Sequence, residues 1–182
     1  MSKNLTMLLL LIVFVLVFGL ALFGGAVNMD FSQLSETDWD ILRYSRIPRV
    51  LLAGLVGASL SLSGVLFQYV MKNPLADSFT TGASASSAMG AVVAILFGIG
   101  FLIPVLALIG GVIGLTVVYK VSSVKGKVQP ITMLLAGIVV STFASSIISL
   151  MKYMADDSVA SIIFWLMGGF QDASMQQETI LT

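Results

Sequence analysis

The chain has 182 residues, of which 58% are hydrophobic and 10% charged, and its nine basic and nine acidic side chains cancel to a formal net charge of zero. Ordinary soluble domains carry about 25% charged residues, so this composition indicates a polytopic membrane protein. Balanced, scattered charge argues against nucleic-acid binding. The absence of cysteine and histidine excludes disulfides, imidazole metal sites and histidine-dependent catalysis. We therefore expect no enzymatic activity, no metal site and no cofactor.

Five apolar segments are predicted to cross the membrane, because about 20 apolar residues in a helix span a bilayer. The predicted spans are residues 5–27, 48–71, 79–97, 101–119 and 131–153. Residues 28–45 are predicted to be a polar loop, Asp156-Asp157 an acidic turn, and residues 159–167 a helix too short to span. The fold class is all-α, with residues 1–182 forming one transmembrane domain.

The second span has polar signatures at both ends. Pro48 fits the first turn of a helix, which needs no internal N–H partner, and Asn73-Pro74 ends the helix because residues before proline avoid helical dihedrals. A helix from Arg49 to Asn73 would rise about 36 Å, so its ends face opposite sides of the membrane.

The basic residues favour an amino terminus on the inner side, by a narrow count. The predicted inner group is Lys3, Lys72, Lys120, Lys125 and Lys127, and the predicted outer group is Arg43, Arg46, Arg49 and Lys152. Five basic residues on the inner side against four on the outer side satisfy the positive-inside rule only narrowly. Three arginines on the outer side therefore require a reason.

Small residues form stripes at helical spacing. On the second span the stripe is Gly54, Gly57, Ser61, Gly64 and Gln68; shorter ones are Gly82, Ser86 and Gly90 on the third span, and Gly110 with Gly114 on the fourth. Such stripes let membrane helices approach closely, and we favour helix packing over a pore-lining role.

The fifth span gathers hydroxyl side chains on one side, with Gly137 at the edge. They are Ser141, Thr142, Ser145, Ser146 and Ser149. Two interpretations remain open: hydroxyls bonded to carbonyls of their own helix, or a helix that lines a hydrated translocation path.

No ionisable residue lies near the middle of any predicted span, and no phosphate-binding loop of the Walker type occurs. Proton-driven carriers usually keep an ionisable group there, so the energy for transport would come from a separate ATPase.

Arg46 and Arg49 are three residues apart and share a helix face if the helix includes both. One interpretation is snorkelling toward lipid headgroups. The other is a docking patch for carboxylates of a partner protein, which a forked guanidinium can bind through both oxygens.

Several ordered blocks of sequence resemble a known family. They are RIPRVLLAGLVGASLSLSGVLFQ at residues 46–68, KNPLAD at 72–77, TGASASSAMGA at 81–91, LLAGI at 134–138 and FWLMGG at 164–169. The blocks are similar to the FecCD-type permeases of ABC importers for iron-siderophores, haem and cobalamin.

The resemblance implies one half of a ten-helix permease that moves such a substrate by alternating access. It implies a second permease copy (homodimer or paired paralogue), cytoplasmic ATP-binding subunits, an extracytoplasmic substrate-binding protein and location in the cytoplasmic membrane of a prokaryote. Arg46 and Arg49 match the docking residues, Asn73, Pro74 and Leu75 the cytoplasmic gate, residues 123–131 a second gate loop, and the fifth span a path-lining helix.

Family members are about twice as long as this chain, whose end falls where a sixth span would begin. The alternative function is therefore a noncatalytic membrane scaffold, or a split-permease fragment without transport activity of its own.

Overall fold

The computed structural model describes residues 2–24, 35–124, 127–155 and 158–170, and the structural statements below concern these residues. The helices are α1 (Lys3–Phe23), α2 (Glu36–Ile41), α3 (Ile47–Met71), α4 (Ala83–Leu96), α5 (Ile103–Ser122), α6 (Pro130–Met154) and α7 (Val159–Met167). A short antiparallel hairpin pairs β1 (Ser123–Val124) with β2 (Lys127–Val128). The all-α class predicted from the sequence is confirmed. The predicted end of the first span at 25–27, the loop residues 28–34 and the turn at Asp156-Asp157 lie outside the described residues.

The described part of the chain divides into two compact units, one within residues 1–58 together with Phe170 and one within residues 59–169. In the second unit α4 packs against α5 and α6. Two apolar clusters hold this unit together: Met71, Ala76, Val118 and Met133 form one, and Val92, Ile148, Ala155 and Ile162 form the other. The second cluster includes a residue of α7, so the short helix is fixed to the second unit.

Residues 36–71 form one uninterrupted helical stretch, so the loop predicted for residues 28–45 is wrong from residue 36 onward. A capping box starts the stretch: Ser35 Oγ accepts from the N–H of Asp38 at 3.2 Å, and Asp38 Oδ2 accepts from the N–H of Ser35 at 3.0 Å. Acidic residues in a first turn are favoured by the helix dipole, which explains why an acid-rich segment is helical here.

A π-helical turn, Leu42–Arg46, joins α2 to α3, and the N–H of Ile47 donates to the carbonyl of Leu42. Pro48 was predicted to lie in the first turn of a helix, but it lies inside this continuous stretch. A proline in a helix lacks an N–H donor and crowds the carbonyl four residues earlier. The wider π turn immediately before Pro48 is the kind of local adjustment that relieves such crowding.

The third predicted span is shorter than expected. Residues 79–97 were predicted to span the membrane, but α4 has 14 residues, which rise about 21 Å against a hydrocarbon core of about 30 Å. A turn takes up residues 77–82 and delays the start of α4. The helical stretches long and apolar enough to cross a bilayer, among the described residues, are Lys3–Leu22, Glu36–Met71, Gly100–Ser122 and Pro130–Met154.

The other predicted boundaries agree more closely with the structure. The span predicted at 48–71 is α3, and that at 131–153 is α6. The span predicted at 101–119 is α5, which ends three residues later and follows a 3₁₀ turn, Gly100–Leu102. The short helix predicted at 159–167 is α7.

Candidate functional site

Arg46 is the buried member of the two predicted docking arginines, with 9% of its surface exposed. Its Nη1 donates a 3.0 Å hydrogen bond to the carbonyl oxygen of Leu22. Leu22 lies in the last turn of α1, where carbonyls lack partners inside the helix and the dipole is negative. The guanidinium therefore stabilises the end of α1 and links it to the π turn.

Arg49 lies on the first turn of α3 and is exposed. It lines an apolar cavity of about 460 Å³, whose walls include Phe14, Phe18 and Val50. The structure brings both arginines to one end of α3. They share a helix face because they are three residues apart. The structure gives them different environments, because Arg46 is buried against a carbonyl and Arg49 is accessible.

The predicted gate residues Asn73, Pro74 and Leu75 directly follow the opposite end of α3. Asn73 Oδ1 accepts a 2.9 Å hydrogen bond from the N–H of Leu75, and the Asn73 carbonyl accepts one of 3.2 Å from the N–H of Ala76. The Leu75 side chain is 79% exposed, whereas Ala76 is buried. The loop thus holds Leu75 outward on an ordered backbone.

The described residues of the second predicted gate loop, 123–124 and 127–131, lie at the same end of the second unit. Val128 of β2 packs against the buried cluster that contains Met71 and Ala76. The hairpin is closed by a 3.1 Å hydrogen bond from the N–H of Gln129 to the carbonyl of Ser122. The two loops are about 50 residues apart in sequence, and the structure brings them together because both contact the same apolar cluster.

Asp77 organises the turn that leads into α4. Its Oδ1 accepts from the N–H groups of Thr80 at 2.7 Å and Phe79 at 3.0 Å, and Thr80 Oγ1 accepts from the N–H of Asp77 at 2.9 Å. The Thr80 N–H is the main cause that lowers the pKa of the Asp77 carboxyl, with partial burial acting against it. This reciprocal pair has the geometry of a capping box with the spacing Asp-x-x-Thr.

The hydroxyl side chains of α6 are mostly bonded to their own helix. Three donate to carbonyls four residues earlier: Thr142 to Ile138 at 2.9 Å, Ser146 to Thr142 at 2.8 Å and Ser149 to Ser145 at 3.0 Å. Ser141 instead donates to the carbonyl of Phe79 at 3.1 Å. Thr142, Ser145, Ser146 and Ser149 are exposed, and a hydroxyl that donates inward still offers lone pairs outward.

The small-residue stripes differ in what they contact. In α4 a Cβ added at Gly90 would overlap the carbonyl oxygen of Leu106 in α5, and one added at Gly114 of α5 would overlap Ser86 Oγ. The helix packing predicted for these two stripes is confirmed, and the structure shows that each stripe contacts the other helix. In the α3 stripe (Gly54, Gly57, Ser61, Gly64 and Gln68), a Cβ at Gly54 or Gly64 would meet no heavy atom within 4 Å among the described residues.

Two contacts were missed by sequence reasoning. The bond from Arg46 to Leu22 has no sequence signal, because it depends on the position of α1. The turn at Asp77 had one, since an Asp side chain commonly accepts from the backbone N–H two residues on and so favours a turn. Metal binding was not predicted, and no group of three or more acidic side chains that could hold a metal ion occurs within the described ranges.

Three comparisons with known proteins agree. The profile of the FecCD transport family matches residues 6–182. The uncharacterized ABC transporter permease protein YvrB of Bacillus subtilis (strain 168) is 35% identical over 80% of this chain and 42% of its own length. The cobalamin import system permease protein BtuC of Halobacterium salinarum is 34% identical over 73% of this chain and 37% of its own.

The iron(3+)-hydroxamate import system permease protein FhuB of Escherichia coli (strain K12) is 33% identical over 92% of this chain and 27% of its own length. A solved structure described as an inward-facing conformation of a putative metal-chelate type ABC transporter is 28% identical, with a TM-score of 0.77 over 98% of this chain and 57% of that chain. The chain therefore spans less than half the length of these curated relatives.

Proposed function

Because the chain belongs to the FecCD transport family, we propose that it forms part of the permease of a binding-protein-dependent ABC importer for an iron-siderophore, haem or cobalamin-type substrate. The observation that carries this proposal is the family match over residues 6–182. Support comes from relatives named for iron-hydroxamate and cobalamin import, and from the likeness to a metal-chelate type ABC transporter. The chain would be a noncatalytic transport subunit, with ATP hydrolysed by a partner.

The proposed assembly contains a second permease copy, as a homodimer or with a paired paralogue, and cytoplasmic ATP-binding subunits. An extracytoplasmic substrate-binding protein delivers the solute. The chain is proposed to be a multi-pass protein of the cytoplasmic membrane of a prokaryote, with its amino terminus inside. Alternating access then requires an outer docking surface and an inner gate, which the ends of α3 supply.

Docking is proposed at Arg46 and Arg49, with unequal roles. The exposed Arg49 is placed to meet a carboxylate of the binding protein, whose two oxygens suit a guanidinium fork. Arg46 is mostly buried and bonded to Leu22, so it contributes chiefly by holding the surface from which Arg49 projects.

The gate is proposed at Asn73, Pro74 and Leu75, and the translocation path along the hydroxyl face of α6. The exposed Leu75 would meet its counterpart in the second permease copy and close the inner passage with apolar surface. On α6 the outward lone pairs of Thr142, Ser146 and Ser149 can accept hydrogen bonds from water or solute. Ser141 and Ser145 complete the face.

The docking proposal is tested by charge reversal in the reconstituted transporter. Arg49→Glu would place like charges together, so affinity for the binding protein should fall at least about tenfold, and more at low salt. Arg43→Glu, at an exposed residue of the π turn, is the matched control and should change affinity much less. Changing the partner's facing carboxylates to Arg should restore binding to Arg49→Glu.

Arg46→Ala separates the two roles. It should leave the Leu22 carbonyl without its donor and lower thermal stability, because an unsatisfied partly buried group costs about 1–3 kcal/mol. Affinity for the binding protein that is unchanged by Arg49→Glu at both low and physiological salt would contradict the docking assignment.

A further inference from the structure

The segment after α3 touches α6 through backbone atoms as well as side chains. Ser141 Oγ donates 3.1 Å to the carbonyl of Phe79, across 62 residues of sequence. A Cβ at Gly137 would overlap the carbonyl oxygen of Thr80 and would lie 2.8 Å from the Cα of Thr81. The α6 residues from Gly137 to Ser141 therefore contact the turn that leads into α4.

Gly82 completes this contact from the other side. Its φ of +79° lies in the left-handed region, which side chains with a Cβ rarely adopt. A Cβ there would also lie 3.1 Å from the Gly137 carbonyl oxygen and 3.3 Å from Val140 Cγ1. Two glycines facing each other bring the backbones of the turn and of α6 into direct contact. We call the contacts of residues 79–82 with Gly137, Val140 and Ser141 the clasp.

Hydrogen bonds order each half of the chain between Leu75 and the clasp, and Ala76, where the two halves meet, is buried in the cluster that contains Met133 of α6. Asn73 holds Leu75 and Ala76 through the hydrogen bonds given above, and Asp77 holds Phe79 and Thr80. Thr81 is fully buried, and its hydroxyl donates 2.9 Å to the Asp77 carbonyl. Residues 73–82 therefore form an ordered block with one end at the gate tip and the other at the clasp.

We propose that Gly137 and Ser141 are positioning residues for the gate: they fix residues 73–82 to α6, so that Leu75 moves with α6 as one rigid block. This inference rests on the proposed function, in which α6 lines the path and Leu75 closes it. A displacement of α6 would then widen the path and shift the gate tip in a single motion. Movement of the gate tip and widening of the path would be coupled directly, because the backbones of the turn and of α6 are in contact.

The test measures distances between spin labels in the reconstituted transporter, with any cysteines of the other chains replaced, since this chain has none. One pair joins Leu75→Cys to Leu135→Cys on α6, and a reference pair joins Leu75→Cys to Leu60→Cys on α3; all three side chains are exposed. Between nucleotide-free and ATP-bound states, the Leu75–Leu135 distance should stay constant while the Leu75–Leu60 distance changes. A Leu75–Leu135 distance that changes as much as the reference distance would overturn the rigid block.

Substitutions provide a second test of the clasp, which does not depend on gate motion. Gly137→Ala should shift or broaden the Leu75–Leu135 distribution in both states, whereas Gly64→Ala, at an open position of α3, should leave it unchanged. An unaltered distribution in Gly137→Ala would contradict the clasp.

Ser141→Ala is the milder variant, should Gly137→Ala fail to fold. Loss of one hydrogen bond predicts about a fivefold rise in the population with a displaced gate, seen as more ATP hydrolysed per solute transported. Ser141→Thr keeps the hydroxyl and should restore coupling. Thr116→Ala, which removes a bond to the carbonyl of Val112 within α5, is the control. Equal effects of Ser141→Ala and Thr116→Ala would refute a positioning role, whereas absent uptake in the unmodified protein would overturn only the proposed function.

Discussion

A methyl group added at Gly90 of α4 would overlap the Leu106 carbonyl of α5, whereas one added at Gly64 of α3 would meet no described atom within 4 Å. Both glycines belong to small-residue stripes with the same helical spacing. The stripe on α4 has its partner within the second unit. The comparison shows that such a stripe encodes the capacity for close approach, while the identity of the partner helix depends on the fold.

The largest effect is expected from Gly90→Ala. The new Cβ would lie 2.8 Å from the Leu106 carbonyl carbon, and a backbone cannot rotate away as a side chain can. Overpacking of this kind costs about 1–3 kcal/mol, so the thermal midpoint in detergent should fall by several degrees. An unchanged midpoint would show that the α4–α5 contact is looser than the structure indicates.

Gly114→Ala should be less severe and, unlike Gly90→Ala, repairable. Its Cβ would overlap Ser86 Oγ and would lie 2.5 Å from Ser86 Cβ, both of which are side-chain atoms. Adding Ser86→Gly removes both atoms and should recover most of the lost stability. A double-mutant cycle in the same thermal assay checks this, and strictly additive losses would argue against direct contact.

The Asp77–Thr80 pair in the turn before α4 predicts a smaller and pH-dependent effect. Asp77→Ala should lower stability by about 1 kcal/mol, the usual net contribution of a hydrogen bond, because the turn loses the acceptor for the N–H groups of Phe79 and Thr80. Because the folded pKa of Asp77 lies below its ordinary value, its contribution is complete above the unfolded pKa and is lost as pH falls through the folded one. Thermal midpoints of the wild type and the variant should therefore converge in acid, and a constant difference would rule out the carboxylate as the cause.

The smallest effect is expected from Gly64→Ala or Gly54→Ala on α3. Space is open among the described atoms, and alanine favours a helix over glycine by up to about 1 kcal/mol. The thermal midpoint of this chain should stay level or rise slightly. A clear fall would show that the α3 stripe is already in close contact, and the contrast with α4 would disappear.

Most of the helical fold could be predicted from apolar length alone, as α3, α6 and α7 show. Errors arose where local chemistry outweighed composition. The acidic residues after Ser35 suggested a loop, but the Ser-x-x-Asp spacing of Ser35 with Asp38 caps a helix. Pro48 suggested a helix start, but the π turn accommodates it inside a longer helix.

The candidate site could be predicted less fully than the fold. Sequence placed Arg46 and Leu75 on opposite sides of one apolar helix, and both flank α3, although the helical stretch continues before Arg46 to Glu36. It could not separate buried Arg46 from exposed Arg49, because that difference depends on α1 reaching the π turn. Nor could it distinguish Ser141 from its neighbours, since the Phe79 carbonyl is distant in sequence.

The account's central claim, that the chain is part of an importer permease, is tested most directly by solute uptake into proteoliposomes. The chain would be reconstituted with the rest of its permease and ATPase, with ATP inside and substrate-loaded binding protein outside. The account predicts ATP-dependent accumulation of an iron chelate, haem or cobalamin that is abolished without the binding protein. An assembled complex that hydrolyses ATP yet accumulates none of these three classes would contradict it and favour a noncatalytic scaffold.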